Sequence, residues 1–372
     1  MKLQKIGALQ LFFIMIGFEI GNTLIFGKGA AAKQDAWLTH LGGMVCGLLL
    51  MFIYIKLSDY YPGDTLIQMI PKIIGKYLAY PVILYYLFYF TLLASTACRD
   101  FGELIYSTIL VETPMLIIIG SFMVLMIYCL RGNVESFARM GEVVFPVYIL
   151  SLLVIWILLL SVDNFTLKNL TPILGNGLKP VLKEVFPKAI VFPFGETVLI
   201  LMFFPLLSKP QNKRKIGIAT IVIGGILLTI NTMLNTAVLG PEIYGKDLYP
   251  LLSATRMVSI ADFLERFDAL VILMMVAGVF FKVGGWMYGA AVGIAQFFNL
   301  KDYRPIILAL GTIIIPLSLL YAGHFIESRE FGEEFIDYYL HIPLQIVIPI
   351  LLVFIAFIRR KFTKKHVDKR YG

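Results

Sequence analysis

Charged residues are scarce in this chain, since Asp, Glu, Lys and Arg make up 15% of its 372 residues. Hydrophobic residues make up 59%, whereas a typical soluble domain has about 45–50% apolar and about 25% charged residues. The mean hydropathy is correspondingly high, at +0.84. This composition excludes an ordinary soluble domain and indicates a protein that crosses a membrane several times.

Cysteine and histidine are also rare, with three and four residues respectively. The cysteines form no CxxC pair and the histidines are dispersed, so neither a disulfide framework nor a metal site is expected. The sequence contains no HExxH or GxSxG motif and no paired catalytic aspartates, which argues against an intramembrane enzyme. The cysteines are Cys46, Cys98 and Cys129, and the histidines are His40, His324, His341 and His366. We therefore expect no enzymatic activity and no cofactor.

The formal net charge of +8 does not indicate nucleic-acid binding, because the basic residues lie in short loops and in the tail and accompany no nucleic-acid motif. The N-terminus resembles a signal peptide in having Lys2 and Lys5 before an apolar run. That run is too long for a signal peptide and is interrupted by Glu19 and Asn22. It is better interpreted as the first membrane span.

Ten apolar segments are long enough to cross a hydrocarbon core of about 30 Å, which needs about 20 residues. They cover 6–34, 36–57, 77–110, 113–131, 142–162, 184–207, 215–240, 260–298, 303–323 and 337–359. Two sets of five predict repeats of opposite orientation, as in inverted-repeat transporters. The sequence thus predicts an all-α polytopic protein with one integral membrane domain: a first repeat over 1–162, a second over 184–359, and a basic tail over 360–372.

The distribution of basic residues predicts the orientation. Lysines and arginines cluster in the loops on one side of the predicted bundle, and the same side contains both termini. The loop residues are Lys56, Lys72, Lys76, Arg131, Arg139, Lys209, Lys213, Arg214, Lys215, Lys301 and Arg304. Both termini are therefore predicted to be cytoplasmic.

The first and sixth segments each contain an interruption. The first has the sequence Ile20-Gly21-Asn22-Thr23. A helix in hydrocarbon is broken only where its freed backbone groups face a cavity or ligand, and a helix that restarts there presents N–H groups to an anion. Gly21 permits close approach to the backbone, while the side chains of Asn22 and Thr23 replace lost hydrogen bonds. A small zwitterion such as an amino acid fits this arrangement.

The interruption in the sixth segment is Phe192-Pro193-Phe194-Gly195-Glu196. Pro193 cannot donate a helical hydrogen bond, and Phe192 and Phe194 are candidate pocket walls. Glu196 is the notable residue, because a carboxylate near mid-membrane costs about 2.5–3.5 kcal/mol on insertion scales. The alternatives are an ordinary proline kink and an internal hydrogen bond for Glu196. Equivalent positions in the two halves favour a ligand site.

Other charges inside the spans are candidates for coupling or gating. Glu19 precedes the first break, and the candidate partners of its carboxylate are water, a cation or Lys282; a polar contact between helices is the alternative. Arg99, Asp100 and Glu103 lie toward the outer part of the third segment, where local pairing among them is the alternative.

Lys282 lies in the eighth segment, where its ammonium group would occupy the place of a coupling cation. The alternative is that its side chain extends to the cytoplasmic interface.

Several stretches together resemble a known family: DAWL at 35–38, FGELIYSTILVETP at 101–114, NLTPILGNGLKPVL at 169–182, FPFGETVLILMFFPLL at 192–207 and YPLLSATRMVSIADFLERFDAL at 249–270. With the two breaks, they resemble the spore germination permeases, the B subunits of endospore germinant receptors, within the amino acid, polyamine and organocation transporter superfamily. The resemblance extends along nearly the full length of the chain.

This resemblance implies a multi-pass subunit in the spore inner membrane or cell membrane. It implies a small-molecule germinant and two partners, an A subunit and a lipoprotein C subunit. Residues 21–23 and 192–196 match the family's substrate loops. The fifth segment departs from some proton-coupled relatives, because it has no lysine between Val143 and Leu160.

Two functions therefore remain. The first is a sensor that binds a nutrient, expected to be an amino acid, and triggers germination with its partner subunits. The alternative is a proton- or ion-coupled amino acid transporter of the same fold.

Overall fold

The computed structural model describes residues 4–258, 267–320 and 332–371. Within these ranges the secondary structure is helical, apart from one isolated β-bridge between Ile6 and Leu207. The all-α fold expected from the sequence is therefore confirmed.

The α-helices are α1 Ala8–Ile20, α2 Ala36–Tyr60, α3 Leu66–Ile74, α4 Lys76–Thr108, α5 Met115–Gly132, α6 Val134–Leu159, α7 Leu178–Glu184, α8 Ile200–Phe203, α9 Lys213–Leu239, α10 Pro241–Lys246, α11 Pro250–Arg256, α12 Asp268–Phe297, α13 Arg304–Leu320 and α14 Ile348–Tyr371. Short 3-10 segments cover Ala30–Asp35, Leu167–Leu170, Phe194–Leu199, Phe204–Leu206 and Pro210–Asn212. Two π-helical segments cover Val185–Ala189 and Gly332–Val347.

Eight helical segments in the described residues are long and apolar enough to cross a membrane. They are Ala30–Tyr60, Lys76–Thr108, Met115–Gly132, Val134–Leu159, Leu178–Leu206, Pro210–Leu239, Asp268–Phe297 and Phe335–Lys361. Two shorter apolar helices, α1 and α13, occupy the positions of the first and ninth predicted spans. This arrangement is consistent with ten spans and with a five-plus-five repeat. The predicted ends at 260 and 323 lie outside the described residues.

The structure differs from the sequence prediction in two connections. The sequence assigned the region of helix α3 to a loop, because its nine residues are too few for a membrane span. The structure shows a short helix there. Its N-terminus is a capping box, in which the Thr65 N–H donates to Gln68 Oε1 over 3.1 Å. Helix α6 begins at Val134, eight residues before the predicted start at 142, since Glu135 and Arg139 form an ion pair on its exposed first turns.

Helix α12 is the most central of the long helices and packs against α1, α4, α6 and α13. Glycines permit this packing: a Cβ atom on Gly284 would lie 2.4 Å from the Phe137 ring, and one on Gly293 would lie 2.5 Å from Leu87. The fully buried Trp286 contacts the rings of Phe18 and Tyr89. Close approach of α12 to α1 fixes the position of the candidate site.

Candidate ligand site at the two helix breaks

The first break lies at the end of α1. The Gly21 N–H donates to Gly17 O over 2.9 Å, and the next backbone bond runs from Leu24 N to Ile20 O over 3.2 Å. Between them, within the described part of the chain, the N–H groups of Asn22 and Thr23 donate no backbone hydrogen bond. After the break the backbone forms a single further turn and does not continue as a regular helix. The break therefore leaves two donors available to a ligand.

Close backbone contact with α12 determines where the break lies. A Cβ atom on Gly278 would lie 2.4 Å from the carbonyl carbon of Gly21, and one on Gly21 would lie 3.2 Å from Gly278 O. Only glycine fits at these two facing positions. Lys282 follows Gly278 by about one helical turn and therefore lies on the same face of α12, beside the break.

Two hydroxyl groups donate hydrogen bonds to backbone carbonyl oxygens at the first break. Tyr148 of α6 donates its hydroxyl to Gly21 O over 3.0 Å. The Thr23 hydroxyl donates to Glu19 O over 3.1 Å, which replaces a helical bond that the break removes. The first break is thus fixed by contacts from α6 and α12 as well as by its own side chains.

The substitution Tyr148→Phe removes one of these contacts and keeps the ring. We expect a loss of stability of about 0.5–1.5 kcal/mol, the usual contribution of one hydrogen bond. Ligand affinity should fall by a similar free energy, because Gly21 O then loses the hydrogen bond that holds the first break against α6. Thermal unfolding and ligand titration in detergent measure both effects, and unchanged values in both would contradict this role.

The second break lies between the π-helical segment Val185–Ala189 and the 3-10 segment Phe194–Leu199. A Cβ atom on Gly195 would lie 2.1 Å from Gln345 Oε1, so this glycine permits contact with the tenth span. The Tyr54 hydroxyl donates to Gln345 O over 2.7 Å and also contacts Gly195 O at 3.3 Å. The second break therefore packs directly on α2 and on the tenth span.

Phe192 and Phe194 have different surroundings. The Phe192 ring lies beneath the Lys282 ammonium, 3.8 Å from its centroid, in cation–π geometry. The Phe194 ring is fully buried against Gly43 and Gly47 of α2. Of the two predicted pocket walls, Phe192 adjoins the charged groups and Phe194 contacts α2.

A buried ion pair connects the two breaks. Lys282 Nζ lies 2.7 Å from Glu196 Oε2, and the two side chains are 2% and 3% exposed. Lys282 Nζ also donates to Asn22 Oδ1 over 3.2 Å. The lysine therefore bridges the first and sixth spans, and its side chain is not at the cytoplasmic interface.

Asp100 of α4 extends this cluster, because Asn22 donates its Nδ2 to Asp100 Oδ2 over 3.0 Å. Glu19 is fully buried, and neither of its carboxylate oxygens has a hydrogen-bond partner among the described residues. Three carboxylates thus lie near the breaks with two ammonium groups, since Lys28 lies 4.6 Å from the Phe192 ring centroid. Because the Glu19 carboxyl group has no hydrogen-bond partner among the described residues, it is a candidate acceptor for a cationic group on a ligand.

Arg99 and Glu103 pair with each other on α4. Arg99 also donates to the carbonyl oxygens of Ser318 and Leu319, at the end of α13, over 3.5 and 3.4 Å. This geometry connects α4 to α13 and does not join these residues to the Lys282 cluster. Their assignment to coupling or gating stays a prediction.

Sequence reasoning missed several residues of the site. Local pairing was expected for Asp100, but its carboxylate accepts from Asn22. Gly278 and Tyr148 carry no sequence signal that separates them from ordinary packing residues. The same holds for a buried network in which Gln345 Nε2 lies 2.6 Å from the Tyr89 hydroxyl and 2.7 Å from His341 Nδ1. A polar residue in an apolar segment was the only available signal.

The far ends of the two broken spans are also joined. Ile6 N–H donates to Leu206 O over 2.8 Å, and Ser208 N–H donates to Ile6 O over 3.0 Å. Lys5 Nζ donates to Pro205 O over 2.7 Å. These three bonds, called here the terminal bridge, close the gap between the start of α1 and the end of the sixth span.

Comparison with known proteins agrees with this architecture. A family model described as "Spore germination protein" matches residues 5–326. Spore germination protein KB of Bacillus subtilis is 31% identical over 366 residues, covering 98% of each chain. Spore germination protein YndE of the same organism is 27% identical, covering 97% of this chain and 98% of the relative.

A solved structure shares the fold. The crystal structure of MhsT in complex with L-phenylalanine aligns with a TM-score of 0.68 over 96% of this chain and 89% of that one, at 14% identity. This likeness shows the fold, and the family model and the relatives named above confirm the family resemblance inferred from the sequence. The chain therefore belongs to the spore germination permease family, whose members include germinant-receptor B subunits, and that family is permease-like rather than enzymatic.

Proposed function

We propose that this chain is a germinant-receptor subunit that binds a small nutrient, an amino acid, between the two helix breaks. The observation that carries the proposal is the buried Lys282–Glu196 ion pair, which joins the first and sixth spans at 2.7 Å. A charged pair at such depth is costly unless it has a partner or a function. Its position between the breaks supports a ligand site.

The proposed ligand is a zwitterion because the site offers groups for both of its charges. The free N–H groups of Asn22 and Thr23 suit a carboxylate. The carboxylates of Glu19, Glu196 and Asp100 suit an ammonium group, which would compete with Lys282 for Glu196. These contacts bind the carboxylate and ammonium groups that all amino acids share. The surrounding side chains therefore determine which amino acid binds.

Ligand binding shifts the conformation only through a difference in affinity between two states. A ligand ammonium group that replaces Lys282 at Glu196 would change the connection between the first and sixth spans. We propose that the A subunit and the lipoprotein C subunit respond to this change. The chain would act in the spore inner membrane or the cell membrane, as one integral domain with both termini cytoplasmic.

The alternative function is a proton- or ion-coupled amino acid transporter, which the shared fold favours. The sensor is favoured because the fifth segment has no lysine between Val143 and Leu160, where some proton-coupled relatives carry one. Lys282 is a candidate substitute for that lysine, so its ammonium group does not separate the two functions.

Purified protein in liposomes separates the two functions. We expect saturable binding of at least one labelled amino acid, with no accumulation inside the liposomes under a proton or sodium gradient. The matched control is Glu196→Gln, which keeps the shape of the side chain and should bind the amino acid at least about 10-fold more weakly. Gradient-driven accumulation by the wild-type chain that Glu196→Gln abolishes would contradict the sensor and establish the transporter.

A further inference from the structure

A cavity of about 890 Å³ lies well away from the helix breaks, beside the terminal bridge. It is lined by the start of the chain, by α3, by the first turns of α4 and by the end of α12. It lies next to Pro205, which accepts from Lys5 in the terminal bridge. The ligand site described above does not use this cavity.

The cavity is positively charged. Its lining includes Lys5, Lys72 and Lys76 and contains no acidic side chain. The nearest acidic partner is Asp64, which lies 2.6 Å from Lys72 Nζ and outside the lining. The lining also supplies neutral polar groups from Gln68, Gln296 and Asn299. This combination suits an anion that accepts several hydrogen bonds, such as a phosphate.

The remaining walls are apolar, with Ile67, Ile83 and Leu300 among the lining residues. The neighbouring residues Tyr77 and Leu78 are 88% and 67% exposed, so the surface beside Lys76 is apolar and faces outward. In a chain that spans a membrane, such a surface contacts lipid. A polar basic cavity next to a lipid-facing surface fits a molecule with a phosphate and acyl chains.

We propose that this cavity binds the headgroup of an anionic phospholipid, with its phosphate near Lys72 and Lys76 and its acyl chains along α4. Basic pockets between membrane helices bind lipids of this kind in other systems. The bound headgroup would lie beside Lys5, whose ammonium group also donates to Pro205 O in the terminal bridge.

The test measures thermal unfolding of the full chain in neutral detergent with defined additions. Cardiolipin and phosphatidylglycerol are each expected to raise the melting temperature by about 2 °C or more, and phosphatidylcholine to leave it unchanged. Inorganic phosphate and glycerol 3-phosphate distinguish a free anion from a lipid and should also have no effect. Native mass spectrometry counts the lipid molecules that remain bound.

The variant Lys72→Gln with Lys76→Gln should lose more than half of the cardiolipin shift. The matched control, Lys179→Gln with Lys183→Gln, removes two exposed lysines of α7 and should keep the full shift. If the double variant does not fold, Lys76→Gln alone replaces it. Equal stabilisation by phosphatidylcholine, a full effect of inorganic phosphate, or an undiminished cardiolipin shift in the cavity variant would each overturn the proposal.

Discussion

Replacement of Lys282 by methionine should destabilise the protein by about 3–5 kcal/mol, because it leaves the Glu196 carboxylate buried and unpaired. Both side chains of this ion pair are at most 3% exposed, so water cannot replace the lost ammonium group without rearrangement. The same substitution removes the donor to Asn22 and the cation beside the Phe192 ring. We therefore expect Lys282→Met to abolish ligand binding as well.

A double substitution separates structure from function. Lys282→Met combined with Glu196→Met removes both charges and keeps the volume, and such replacements of buried pairs are commonly neutral or stabilising. We expect it to regain most of the stability lost in Lys282→Met, while ligand binding stays absent. Lys215→Met, at an exposed position of α9, is the control and should change neither property.

Denaturation in detergent and ligand titration on wild type, Lys282→Met, the double variant and Lys215→Met measure these effects. If Lys282→Met keeps wild-type stability, the ion pair is not formed as described. If the double variant binds ligand normally, the pair is structural and the ligand site lies elsewhere.

The second large effect is expected for Gly278→Ala. The added methyl group would lie 2.4 Å from the carbonyl carbon of Gly21, a distance at which backbone must move. Overpacking of this kind typically costs about 1–3 kcal/mol. It should also separate α12 from the first break and carry Lys282 away from Asn22, with loss of ligand binding.

Gly120→Ala is the matched control for this substitution. It makes the same change inside a membrane helix, α5, where a Cβ atom meets nothing within 4 Å. We expect stability equal to or slightly above wild type, since alanine favours helix by about 1 kcal/mol. If Gly278→Ala matches Gly120→Ala in melting temperature and ligand affinity, the close contact at Gly21 is not required.

Much of the fold could be predicted because its signals are local. Long apolar segments identified the membrane helices, and Gly21 and Pro193 marked the breaks by backbone chemistry alone. Helix α3 was missed, since its nine residues are too few for a span and Pro71 is a residue that usually ends a helix. The early start of α6 was missed for a similar reason, because charged first turns do not extend an apolar pattern.

The sequence indicated several residues of the candidate site, but it did not indicate which residues contact each other. Glu196 and Lys282 were conspicuous because charge is costly in hydrocarbon, yet nothing in the sequence specifies that residues 86 positions apart form an ion pair. Local pairing was expected for Asp100 and its contact with Asn22 was not, since a helix face alone does not show which adjacent helix it meets. Gly278 resembles many packing glycines, and only its distance to Gly21 distinguishes it.

Ligand binding to the purified chain is the most direct test of a site at the two breaks. A panel of amino acids and sugars should be titrated against wild type and against Glu196→Gln, with Lys215→Met as control. We expect at least one amino acid to bind wild type and the control equally, and to bind Glu196→Gln at least about 10-fold more weakly, the loss of one charge-assisted hydrogen bond. Equal affinity of wild type and Glu196→Gln for the same amino acid would contradict a ligand site between the breaks.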